Sequence, residues 1–118
     1  MGGVAIPTST LLSDTDLAWR IDTAKARFTI APHDLVAKFG RVAGDVVNIG
    51  ISAHGSTNGL PEGWVHYDEA ATASDVFTPD APTRADETCL LYFTSGTTSR
   101  PKLVEHTHVS YPVGHLST

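Results

Sequence analysis

The sequence has one cysteine and few cations, and no apolar run approaches the ~20 residues a helix needs to cross a bilayer. A lone cysteine excludes a disulfide scaffold, so a reducing cytoplasm is the expected setting. Cys89 sits inside an apolar stretch, which speaks against a reactive thiol. Only 8 Lys and Arg face 13 Asp and Glu, for a net charge of −5, and such a chain has no electrostatic reason to bind nucleic acid or an anionic membrane. The first residues lack the basic and apolar regions of a secretory signal. No internal repeat or low-complexity tract interrupts the chain.

What is present is the composition of a globular piece, 41% hydrophobic and 18% charged, and 118 residues suffice for one domain or part of one. Strand-like and helix-like segments alternate. Residues 4–6 form a short strand closed by Pro7. Ser13 or Thr15 caps a helix reaching about Ala26, with Leu17, Ile21 and Ala24 at helical spacing and Asp14 and Asp16 suited to its first turn. Residues 27–31 are strand-like and end at Pro32. Residues 33–39 make a shorter helix stopped by Gly40, and residues 46–51 a third strand. Residues 52–63 are loop, 64–67 a brief strand and 68–74 a helical turn. Pro79, Pro82, Asp80, Asp86 and Glu87 mark residues 75–88 as a surface linker delivering the chain to a core strand. Strict alternation predicts an α/β fold: a partial layered domain with a mainly parallel sheet and flanking helices, in which residues 4–6, 28–31, 46–51 and 90–93 are the strands.

The most informative stretch is residues 89–102. Cys89, Leu90, Leu91, Tyr92 and Phe93 are an unbroken apolar run, as in a strand buried on both faces. It opens into Thr94, Ser95, Gly96, Thr97, Thr98, Ser99, Arg100, Pro101 and Lys102. Hydroxyls and turn amides can converge on an anion, glycine permits close backbone approach, and Lys102 adds positive charge. The nucleotide loop G-x-x-x-x-G-K-[ST] does not fit, because Pro101 stands before the lysine and no hydroxyl follows it. A Ser/Thr-rich turn between secondary elements is the blander reading of the same composition.

The segment resembles the phosphate-binding signature [YF]-T-S-G-[ST]-T-G-x-P-K of the adenylate-forming superfamily, which includes acyl-CoA synthetases, luciferases and the adenylation domains of peptide synthetases. Thr94, Ser95, Gly96, Thr97, Thr98, Pro101 and Lys102 match in register, while Ser99 stands where the family has its second glycine. If that position needs positive φ, serine there costs about 1 kcal/mol or more. Glu105, His106 and residues 111–118 resemble the acyl-CoA synthetase branch, and residues 2–7 resemble an upstream strand written G-A-V-x-x-P.

That resemblance implies a fragment, residues 1–118, of the large N-terminal AMP-binding domain of a much longer ligase. It implies that residues 94–102 hold the phosphates of ATP, that His106 lies near the acyl or nucleotide pocket, and that the parent enzyme uses ATP, Mg²⁺, CoA and a carboxylic acid. The family's adenine shelf, Mg-binding glutamate, ribose-binding aspartate, hinge and catalytic lysine have no counterpart in these residues, so no catalytic residue is assigned and the chain alone is expected to be inactive. An inactive remnant, or an unrelated α/β binding module, are the other readings.

Two further chemistries are not expected. His106 and His108 are two apart, which on a helix puts them on opposite sides, unlike the i, i+4 pair that shares a zinc. No metal site is expected, and His33, His54 and His66 read as surface or loop residues. Ser95 lacks the preceding glycine of a G-x-S-x-G nucleophile elbow.

Overall fold

The computed structural model describes residues 2–42, 44–52, 59–94 and 100–116. They form two units, Thr10–Val76 on the one hand and Met1–Ser9 with Phe77–Thr118 on the other.

The unit Thr10–Val76 carries the helices and a parallel sheet. Helix α1, Asp14–Thr23, starts where Ser13 accepts the backbone N–H of Asp16 at 3.1 Å, and Asp14 and Asp16 lie at the positive end of the helix dipole. It ends three residues short of the expected Ala26, because the chain turns through Lys25 at φ 51. Strand β1, Phe28–Pro32, is followed by a short 3₁₀ turn, His33–Leu35, and by α2, Val36–Val42. Contrary to expectation, Gly40 does not stop this helix. Glycine within a helix costs only about 1 kcal/mol, and the Trp64 indole packs against the bare Cα, lying 3.8 Å from where a Cβ would stand. Strands β2, Val47–Ile51, and β3, Val65–His66, complete a parallel sheet in the order β1-β2-β3, with Phe28 opposite Val47 and Ile49 opposite Val65. A 3₁₀ turn, Tyr67–Thr72, follows.

Side-chain alternation gives this sheet two different faces. Thr29, Ala31 and Gly50 are buried, together with Leu17 of α1 and Val36 of α2. The buried Thr29 hydroxyl donates to Asn48 Oδ1 at 2.5 Å, which satisfies the one polar group in this core. The opposite face shows Phe28, Ile30, Val47, Ile51 and Val65, all exposed. Outside the core, Lys38 Nζ donates to the Leu12 carbonyl, and Arg41 clamps Asp14 with Nε at 3.0 Å, tying α2 to α1.

In the other unit, β4, Thr88–Thr94, and β5, Lys102–Thr107, form an antiparallel hairpin, followed by α3, Ser110–Leu116. Ala5 adds a single parallel bridge, its N–H donating to the Cys89 carbonyl at 3.1 Å and its carbonyl accepting from Leu91 at 2.9 Å. The expected strand at residues 4–6 is thus one bridge long. The α/β class read from the sequence holds. Residues 90–93, however, do not join the parallel sheet. Their partner strand lies beyond residues 95–101, a connection far shorter than the dozen or more residues a parallel crossover requires. β4 is half-buried rather than enclosed. Residues 75–87 are exposed and contain no helix or strand, with Arg84 forking onto Asp86 at 2.9 and 3.0 Å and drawing that carboxyl below its usual range.

Candidate functional site at the end of the hairpin

Residues Ser95, Gly96, Thr97, Thr98 and Ser99 lie outside the described residues. The residues that flank them do not. Thr94 is the last residue of β4, Lys102 the first of β5, and the two are paired across the ladder. The Thr94 hydroxyl donates to the Lys102 carbonyl at 3.4 Å, and Pro101 is half-buried beside them, while Arg100 and the Lys102 side chain are exposed.

Register fixes what shares a face with them. The pairs Thr94 and Lys102, Tyr92 and Val104, and Leu90 and His106 project to one side of the hairpin, because side chains alternate along each strand. Glu105, the only carboxylate within β4 and β5, projects to the other side and accepts a hydrogen bond from Thr88. The face bearing Lys102 therefore carries a cation with no carboxylate from either strand, an arrangement that favours an anion.

The same face carries a cluster of rings. Tyr92 and Tyr111 stack with centroids 6.4 Å apart, and His106 meets both edge-on, at 5.9 Å from Tyr92 and 5.6 Å from Tyr111. His115 adds an edge contact to Tyr111 at 4.7 Å. The Tyr92 phenol is hydrogen-bonded to Tyr111, which pushes its titration above the ordinary tyrosine range. His106 thus lies within this cluster, on the side of the hairpin where Lys102 begins.

The two histidines are not arranged as the helical spacing predicts. Residues 106 and 108 do not share a helix: His106 is in β5 and His108 follows in a turn. The alternation in Lys102-Leu103-Val104-Glu105-His106-Thr107, with Val104 and His106 half-buried and Leu103 and Glu105 exposed, was the available signal for a strand. Among the described residues, no group of three or more His, Cys, Asp or Glu could hold a metal ion. Tyr92, Tyr111 and His115 escaped sequence reasoning. Tyr92 was reachable, standing two residues before Thr94 on a strand. Tyr111 was not, because its position depends on α3 turning back onto β5.

Comparison with known proteins fixes the wider setting. Residues 1–116 match the family described as AMP-binding enzyme. The mouse mitochondrial acyl-coenzyme A synthetase ACSM3 is 36% identical over 118 residues, covering 96% of this chain, and mouse mitochondrial ACSM5 is 30% identical over 117 residues, covering 99%. The chain spans about a fifth of the length of each. The crystal structure of the anthranilate CoA ligase AuaEII, in complex with anthranoyl-AMP, superposes with a TM-score of 0.78 at 21% identity, over 96% of this chain and 22% of that one. These relatives bear out the resemblance read from residues 94–102 and overturn the expected cytoplasmic setting, since both curated enzymes are mitochondrial. One free thiol separates intracellular from secreted surroundings but cannot tell one reducing compartment from another. No helix among the described residues is long and apolar enough to cross a membrane. The chain belongs to the AMP-binding enzyme family.

Proposed function

We propose that these residues are the phosphate-binding part of a mitochondrial AMP-forming acyl-CoA synthetase, which activates a carboxylic acid with ATP and then transfers the acyl group to CoA. The observation that carries this reading is the hairpin end itself: Thr94 and Lys102 are paired on a face free of strand carboxylates, at the two ends of a segment that matches the family signature. Lys102 and Arg100 supply positive charge, and the hydroxyls of Thr94, Ser95, Thr97, Thr98 and Ser99 supply donors. Their task is to bind and orient the β- and γ-phosphates and to balance charge as pyrophosphate leaves, without covalent chemistry. Mg²⁺ enters with the nucleotide and supplies further neutralisation of the phosphates. His106, within the ring cluster, borders the pocket.

By itself the chain completes no turnover. In a coupled assay with ATP, CoA and short or medium fatty acids it releases no more pyrophosphate than its Lys102→Ala variant; turnover above that control overturns the fragment reading. When the segment replaces its counterpart in mouse ACSM3, Lys102→Ala lowers ATP–pyrophosphate exchange by an amount equal to about 2–4 kcal/mol in the barrier. Ser99→Gly raises it or leaves it unchanged. Unchanged exchange in Lys102→Ala, with loss in Ser99→Gly, would mean that residues 94–102 are an ordinary turn.

A further inference from the structure

We infer that Tyr111 is a positioning residue for the paired Thr94 and Lys102: by joining Tyr92 of β4 to His106 of β5, it holds the two strands in the register that presents these two residues to the anion. This rests on the phosphate reading above.

Helix α3 has seven residues including Pro112 and Gly114, too little for a helix to persist on its own propensity. Two features hold it. At its start Thr107 and Ser110 bond reciprocally, the Thr107 N–H to Ser110 Oγ at 2.8 Å and the Ser110 N–H to Thr107 Oγ1 at 3.1 Å. Along its length Tyr111 is the half-buried residue, whereas Val113 and Leu116 are 57% and 87% exposed. Through that ring the helix meets side chains of both strands.

What the ring touches gives it a purpose beyond docking. Tyr92 and His106 belong to opposite strands, so contact with both crosslinks the ladder on the very face that carries Thr94 and Lys102. One ladder pair, Phe93 and Leu103, lies between the Tyr92–Val104 pair that the ring reaches and the terminal pair. At the far end of the hairpin Thr88 donates to Glu105 and Cys89 Sγ to the His106 carbonyl at 3.4 Å. At the near end, the Thr94 to Lys102 bond is long. Donors held in place before the anion arrives need no reorganisation to receive it, which is where such a clamp gains affinity.

The test uses the 118-residue chain with Tyr111→Phe and Tyr111→Leu, and magnesium tripolyphosphate as the probe. Tyr111→Leu is expected to weaken tripolyphosphate binding by about tenfold, the equivalent of one or two lost ring pairs, and to speed amide exchange at Lys102 and Leu103 by a similar factor. Exchange at Ile30 and Ile49 in the parallel sheet stays as it was. Tyr111→Phe keeps the ring, so binding stays within about threefold, and the Tyr92 phenol returns toward its ordinary titration range in the phenolate absorbance. Faster exchange with unchanged binding makes Tyr111 merely structural and overturns the inference, as does unchanged exchange in Tyr111→Leu. If the unmodified chain binds no tripolyphosphate, the phosphate reading itself falls, and the exchange data show separately whether the clamp exists.

Discussion

The parallel sheet and the hairpin are stabilised in opposite ways. Every residue that is buried among those described, Leu17, Thr29, Ala31, Val36 and Gly50, belongs to the unit Thr10–Val76. The hairpin, which carries the flanks of the signature segment, has half-buried strands, a ladder of backbone bonds and a patch of ring contacts. Buried residues therefore concentrate in one unit and the proposed recognition chemistry in the other. A region without a filled core tolerates changes on its exposed face, and it relies on local contacts to keep donors in order.

The comparison can be broken by mutation. The largest effect falls on Leu17→Ala, which empties a buried site between helices and sheet and is expected to cost about 2–5 kcal/mol in urea unfolding. Against a domain stability of about 5–15 kcal/mol, that is a large share of what keeps the unit folded. Gly50→Val comes next. A Cβ there would overlap the Leu60 side chain, so overpacking should cost about 1–3 kcal/mol. Lys102→Ala changes an exposed side chain and shifts the unfolding midpoint by no more than about 0.5 kcal/mol while phosphate binding is lost. Arg41→Ala removes an exposed ion pair between α2 and α1 and costs about 0–1 kcal/mol, less in high salt. A Lys102→Ala penalty as large as that of Leu17→Ala would show the two regions to be a single cooperative structure with no division of labour.

The parallel unit was the more legible of the two. Ser13 as a cap, the β-rich residues 28–32 and 47–51 ending at Pro32 and at a glycine-rich loop, and the short strand at Val65 each carry a local signal that tertiary packing then obeys. Gly40 carries no reliable stop signal, because a glycine inside a helix costs only about 1 kcal/mol, and its neighbour Trp64 is remote in sequence. At the candidate site, the residues themselves were legible from a motif, whereas their arrangement was not. An apolar run such as Cys89 to Phe93 looks the same in an enclosed parallel strand and in a hairpin. The length of its connection, and the ladder it then forms, decide between them. Tyr111 became visible only once β5 and α3 brought it over Tyr92.

The most direct test is a titration of the isotope-labelled chain with Mg·ATP, followed amide by amide. The account predicts shifts at Thr94, Arg100 and Lys102 and at the ring neighbours Tyr92, His106 and Tyr111, with β1 and β2 unmoved and the shifts abolished in Lys102→Ala. Shifts centred on Thr29, Ala31 and Gly50, or shifts at the hairpin that persist without the Lys102 ammonium, would contradict it.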